Sequence, residues 1–419
     1  MKQATDLGSV SASAHSAPRD FDLPPPNRKA VLSVSACLMM TFAMGALHAF
    51  SALLEGIERQ AEVGRMAASL VYSSGLISVT VAVFFGHLLY RHWSAPRIAL
   101  LAATLPLLGM GVVAHGSWLG WMVGHGVVFG LASGVGYGFS LHAASCAVPR
   151  QRRGTALGAV TAFYALGAIG FSLLYPALFE WIGFQTGYGA GSVLIALLAA
   201  GSAWLWHTSG LDTKSIGDSS APPTPALQHT PYDFLRLWLG YGTGVFAGLM
   251  VLGHAVPMIK AVDGSSVAAT TTLACMSLGN GLAGLGAGWL ADRFGCKTPL
   301  LVIMLTSALT LMSLSLATKA ALVAPLIVLV STCYGAFIAI YPTLVATWFG
   351  AARAAWAYGR VFTAWGLAGL AAPPLAGWLF ERTDGYGMPL MLAALLACGA
   401  GGIIAWFPKN SFFRYATLR

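Results

Sequence analysis

Gly288-Trp-Leu290-Ala-Asp292-Arg293-Phe-Gly295-Cys-Lys297 closes one long apolar run and leads into another. A worn copy, Gly86-His-Leu88-Leu-Tyr90-Arg91-His-Trp-Ser-Ala-Pro-Arg97, begins 202 residues upstream. In both places a short basic loop separates two apolar runs, so the loops occupy equivalent points of two similar halves. The same offset relates Thr161-Ala162-Phe163 to Thr363-Ala364-Trp365. The chain reads as a duplication, and the polarity of its runs says what surrounds it.

Hydrophobic residues make up 57% of the 419 positions and charged residues only 9%, where soluble domains carry roughly 25% charged. No water-soluble fold of this length hides that much apolar surface. The 50 glycines and 20 prolines, many inside apolar runs, are tolerated in membrane helices because neighbouring helices satisfy the backbone groups they free. The sequence therefore specifies a multi-pass membrane protein of the cell (inner or plasma) membrane, with the lipid bilayer as its constant partner.

Runs of about 20 apolar residues, the length a spanning helix needs, occur near 30–54, 66–90, 98–115, 119–146, 155–178, 189–208, 236–258, 266–290, 299–317, 320–348, 357–380 and 388–407. They are continuously apolar, which excludes the alternating strands of a membrane barrel. The expected fold is all-α, twelve transmembrane helices in two pseudo-symmetric six-helix bundles. With both termini inside, eighteen of the 23 Lys and Arg fall on the cytoplasmic side, as the positive-inside rule requires. The net charge of +9 is thus an orientation signal and gives no reason to expect nucleic-acid binding. The expected organisation is a disordered cytoplasmic tail over 1–29, a bundle over 30–208, a polar cytoplasmic linker over 209–235, a second bundle over 236–407 and a tail over 408–419.

Two six-span halves with internal termini resemble the major facilitator superfamily of secondary transporters, and the Gly288 to Lys297 loop looks like that family's signature. Further pattern lies in Gly134-Val-Gly136-Tyr137-Gly138, Arg152-Arg153-Gly154-Thr-Ala156-Leu-Gly158, Tyr334-Gly335-Ala-Phe337, Pro342, Trp348-Phe349-Gly350 and Tyr358-Gly359-Arg360-Val-Phe362-Thr363-Ala364-Trp365-Gly366. This order and spacing resemble the monocarboxylate and oxalate/formate transporter branch. The resemblance implies alternating access around a site near the bilayer midplane and a small organic anion, most simply a monocarboxylate, as substrate. It also implies a cation in span 8 or 11. Here span 8 offers Ser277 and Asn280, and Trp365 stands where the oxalate carriers have a basic residue, which argues against a dianion.

Every Asp and Glu falls in a tail or loop in this topology, so no carboxylate is left inside the membrane to carry a proton. If protons are coupled, a histidine or the substrate must take them. His48 and His142 are favoured over His125 and His254, because spans 1 and 4 line the cavity in the related family. Tyr137, Tyr164, Tyr334, Tyr341 and Trp365 add hydroxyl and N–H groups that can hydrogen-bond a carboxylate while their rings accept an apolar chain. The candidate substrate site is therefore His48, Tyr137, His142, Tyr164, Asn280, Tyr334, Tyr341 and Trp365. For any single one of these, packing within a helix interface is the simpler role.

The resemblance also places Asp292 against basic residues and the start of a span in the opposite half, here Arg152, Arg153 and span 5, whose helix dipole favours a negative charge. Asp292, Arg293, Arg152, Arg153 and Arg360 form the candidate inner gate. Tyr90 replaces the acid in the first-half copy, which reads there as only a turn. Gly126, Gly130, Gly134 and Gly138 give span 4 a face without side chains, suited to close packing and to sliding during transport. Six scattered cysteines have no metal or pairing pattern, and no cofactor, metal or enzymatic centre is expected. A monomer is expected. A drug exporter is the alternative within transport, and a membrane sensor or intramembrane enzyme is the distant alternative.

Overall fold

Apolar runs of this length satisfy their backbone groups internally as helices, and a computed structural model, describing residues 27–211, 231–252 and 254–407, shows how they pack. No strand occurs among the described residues. The expected tail over 1–29, linker over 209–235 and tail over 408–419 lie wholly or largely outside them.

Asn27 caps the first helix by accepting a bond from Ala30 N at 2.8 Å, and α1 runs Arg28–Met44. A tight 3-10 stretch, Gly45–Ala52, and α2, Leu54–Ala61, carry span 1 past its expected end. Span 2 is α3, Arg65–His92, and span 3 is α4, Ala95–Val113. Span 4 is composite: α5, Trp118–Trp121, a π-helical stretch Met122–Phe129, and α6, Gly130–Ala147. Spans 5 and 6 are α7, Arg153–Ile182, and α8, Phe184–Ser209.

The second half repeats the plan. Span 7 is α9, Pro231–Leu252, followed by α10, Ala255–Lys260. Spans 8 to 12 are α11, Ser266–Phe294, α12, Lys297–Leu316, α13, Ala320–Phe349, α14, Ala351–Thr383, and α15, Gly387–Ala405. Eleven spans are long and apolar enough to cross a bilayer by length and composition. The twelfth, α14, carries Arg353 and Arg360 near its cytoplasmic end.

Exposed faces of the spans are themselves apolar, with Leu108, Leu173, Leu197, Leu282, Leu305 and Leu395 all more than half exposed. In a bilayer that surface meets lipid, so helix association must come from close packing instead of burial from water. Glycines supply it. A side chain at Gly126 would strike Ser74, one at Gly130 would strike Gly75 and Ser78, and one at Gly134 would strike Val79 and Ala82. The smooth face of span 4 is therefore docked on α3 inside the first half. The close packing expected of this face is thus made with span 2; spacing reveals a face, not its partner.

The contact between halves is made by other glycines. A Cβ on Gly154 or Gly158 of α7 would run into the Gly288 or Gly284 carbonyl of α11, and one on Gly359 of α14 into Val83 O and Phe84 of α3. Moving outward along the same pair, a Cβ added at Gly281 would still lie 3.8 Å from the nearest α7 atoms. The halves thus touch backbone to backbone at the cytoplasmic end and diverge toward the other side.

Candidate functional site

Where the halves diverge they enclose a central cavity of about 430 Å³. One half contributes His48, Tyr72, Tyr137, Thr161 and Tyr164 to its wall; the other contributes Ser277, Asn280, Tyr334 and Trp365. Leu249, Leu252, Leu273, Met276 and Ile338 supply an apolar side. Among the described residues lining it there is no Lys, Arg, Asp or Glu.

His48 reaches the wall because α1 and α7 come unusually close. A side chain at Gly45 would overlap Tyr164 O, and one at Gly167 would overlap Phe42 O. The imidazole sits edge-on to Tyr164 at 5.2 Å between ring centres, and His48 Nδ1 pairs with Tyr72 Oη at 2.6 Å. Tyr72, in turn, stacks on Phe50 at 5.2 Å. Tyr72 was not among the expected site residues, since a tyrosine in the outer part of a span carries the same signal as an interfacial belt residue.

The hydrogen-bond inventory decides which groups have a proton to offer. Trp365 Nε1–H donates to Tyr334 Oη at 2.9 Å, so the Tyr334 oxygen is already accepting and its own proton remains for a ligand. Ser133 donates to Met44 O at 3.0 Å, and its oxygen pairs with Tyr164 Oη at 2.8 Å. A hydroxyl has one proton, so Tyr164 is the donor there and turns an acceptor toward the cavity. Tyr137 packs on Tyr164 with ring centres 4.7 Å apart and on Phe362 across the halves at 6.3 Å. Phe362 stacks on Trp365 at 5.0 Å, and these rings make the cavity floor.

Six of the eight expected substrate residues, His48, Tyr137, Tyr164, Asn280, Tyr334 and Trp365, are brought together in this cavity. Two are not. Tyr341 lies fully buried and donates to Leu237 O at 3.3 Å, because the seven residues after Tyr334 carry it about 10.5 Å toward the closed end. His142 is five residues beyond Tyr137, about 7.5 Å further in. It faces a separate small chamber lined also by Tyr90, Ser145 and Tyr358. His125 is boxed by Trp121, Phe129 and Tyr188 in the first bundle, and His254 contacts its own helix at Met250 O.

At the cytoplasmic end, Asp292 accepts from Gly154 N at 2.6 Å and from Thr155 N and Thr155 Oγ1, each at 2.7 Å. Helix starts leave N–H groups without intrahelical partners. Arg152, at the cap position of α7, makes no side-chain cap, so the cap comes from the other half. These short bonds go to two backbone amides and a hydroxyl at the start of span 5, the helix start named with Arg152 and Arg153 in the expectation. Arg153 lies within electrostatic range of Cys146. Arg293 lies over the Trp289 and Phe294 rings of its own helix. Arg360 lies over Trp356 at 4.0 Å and over Phe84 of the opposite half at 5.1 Å, outside the cavity. Tyr90 is no turn: it is helical, 5% exposed, and lodged beneath α6 with Oη 3.4 Å from Val135 O.

Comparison with known proteins agrees with this architecture. The sequence profile of the Major Facilitator Superfamily matches residues 237–416. The uncharacterized MFS-type transporter YhjX of Escherichia coli (strain K12) is 24% identical over 350 residues, covering 80% of this chain and 85% of that protein. Monocarboxylate transporter 13 of Rattus norvegicus is 24% identical over 402 residues, covering 90% and 88%. The second half of the chain thus carries the major facilitator superfamily pattern, and nearly the whole chain is similar to transporters of that superfamily. The fold matches the proton:xylose symporter XylE with a TM-score of 0.71 at 14% identity, over 91% of this chain and 96% of that one. The apolar spans and these similarities make the protein a multi-pass membrane protein that resembles secondary transporters.

Proposed function

We propose that this protein is a secondary transporter of a small monocarboxylate, working by alternating access across the cytoplasmic membrane. The observation that carries the reading is a central cavity with neutral donors on one side, an apolar wall on the other, and no charged residue in its lining. Tyr334 and Asn280 offer protons to a carboxylate, and the leucine and isoleucine side chains accept a short apolar tail. Burying a monoanion against neutral donors is feasible where a dianion would need two cations. The similarity to a monocarboxylate transporter supports the same class.

His48 is the proton station in this reading. It is a cavity-facing imidazole, a side chain able to take up and give back a proton, and its Tyr72 partner accepts or donates according to its protonation state. The latch formed by Asp292 at the cytoplasmic end fits the inner-closed half of a rocking cycle.

The test is uptake of labelled acetate, lactate and pyruvate, with oxalate and a cationic amphiphile as comparators, into proteoliposomes with an imposed pH gradient. Saturable uptake of a monocarboxylate that outcompetes oxalate is expected. In His48→Gln, the stimulation of uptake by the imposed pH gradient should be lost. Movement of the cationic amphiphile alone would replace the proposal with a drug exporter.

A further inference from the structure

Beneath the cavity floor lies the second chamber, and two of its polar groups lack hydrogen-bond partners. It is formed by both halves: Tyr90, His142 and Ser145 on one side, Pro342, Ala354 and Tyr358 on the other. His142 Nδ1 and Tyr358 Oη are both buried and lack hydrogen-bond partners. A buried polar group left in that condition costs roughly 1 to 3 kcal/mol, so two in one chamber call for an occupant in some state of the protein.

Position gives the occupant a route. The Tyr358 hydroxyl lies against that of Tyr137, which lines the central cavity above. The Asp292 bonds to Gly154 and Thr155 close the cytoplasmic end below. The chamber sits between, and at about 20 Å³ it admits one water-sized group, which needs roughly 10 to 15 Å³. Separating the halves at their inner end would pull its two walls apart and enlarge it.

We propose that His142 and Tyr358 form a second carboxylate station, on the cytoplasmic side of the central cavity, which becomes available when the inner half opens. The choice of ligand rests on the monocarboxylate reading above. The imidazole N–H and the phenol O–H are neutral donors that hold an anion without trapping it. Arg153, close to Cys146 at the inner end of the same helix as His142, adds a positive field toward the exit. The substrate thus passes from Tyr334 to His142 and Tyr358 before release, or in the reverse order if the protein exports.

The station is tested by measuring labelled lactate transport from each face, in right-side-out and inside-out vesicles. His142→Gln and Tyr358→Phe should each raise the KM from the cytoplasmic face about tenfold, the scale of one hydrogen bond to a charged group, and leave the external KM within about twofold. In a background without native cysteines, the His142→Cys thiol should react with an impermeant maleimide from the cytoplasmic face, and faster when Asp292→Asn is added. Equal KM changes at both faces, or a thiol that never reacts in a folded protein, overturn the station. Wild-type protein that carries no monocarboxylate refutes the functional reading, and the carboxylate station with it; that outcome is seen before any variant is made.

Discussion

Replacing Asp292 by Asn removes the charge from the inner latch while keeping its shape. The carboxylate accepts three bonds, at 2.6, 2.7 and 2.7 Å. Asparagine keeps one acceptor oxygen, for either Gly154 or Thr155, and points an NH2 at the other backbone N–H. Thr155 Oγ1 can rotate to accept from that amide. One charge-assisted bond is lost, worth roughly 1.5 to 3 kcal/mol, with about 0.3 to 1 kcal/mol from the helix dipole. A net cost of about 2 to 4 kcal/mol shifts the ratio of inner-open to inner-closed protein roughly 30- to 700-fold. The readout is the rate at which an impermeant maleimide, added to the cytoplasmic face, labels Ala354→Cys in the inner chamber. That rate follows the open fraction and should rise by this factor until the open state dominates. Tyr90→Phe is the control: its hydroxyl makes only a 3.4 Å contact, to Val135 O within the first half, so the rate should change by less than about twofold. Small and equal effects from both substitutions would refute the latch.

Gly288→Ala would drive a methyl group into the Gly154 carbonyl, whereas Gly284→Ala would meet Gly158 O at 3.4 Å, an ordinary contact. The first should therefore hold the inner end apart and abolish net transport, and the second should retain at least about half the rate, both read by lactate uptake. Cys296, in the loop after α11, is 3% exposed, and burial together with the nearby Asp292 pushes its thiol up to about 12. It should thus stay protonated and resist alkylation from pH 7 to 9 in the wild type and react faster in Asp292→Asn, as counted by mass spectrometry. Tyr334→Phe removes the cavity proton that the Trp365 bond leaves free, and should raise the external KM about tenfold with kcat little changed.

Twelve spans, their direction and the duplicated loop were legible because each depends on properties local to the sequence: run length, charge sidedness and a repeated offset. Depth along a helix was also legible in part. His48 and Tyr334 were placed in the cavity, and helical rise alone would have warned that Tyr341 and His142 lie further in. What could not be read is which helix a face meets. The four glycines of span 4 dock on α3, while Gly154, Gly158, Gly284 and Gly288 join the halves, and nothing in the two patterns distinguishes them. The Asp292 loop shows the same limit at finer grain: the start of span 5 is named as its partner, but which groups there donate, the Gly154 and Thr155 amides and the Thr155 hydroxyl, comes only from the structure. Backbone donors have no letter in a sequence.

That choice of partner makes the lock and its keyhole unequal under mutation. The key is one carboxylate, and nearly any change at Asp292 spoils it. Two of the three donors in the keyhole are main chain, present whatever residue stands at 155, so that position tolerates change at the loss of one hydroxyl bond, as long as it is not proline. Position 154 drifts less, because a side chain there would meet the Gly288 carbonyl and the carboxylate itself. Variation in this gate should therefore gather on the α7 side at Thr155 and be purged at Asp292. A saturation library scored for transport would record that imbalance as a scar on one helix and silence on the other.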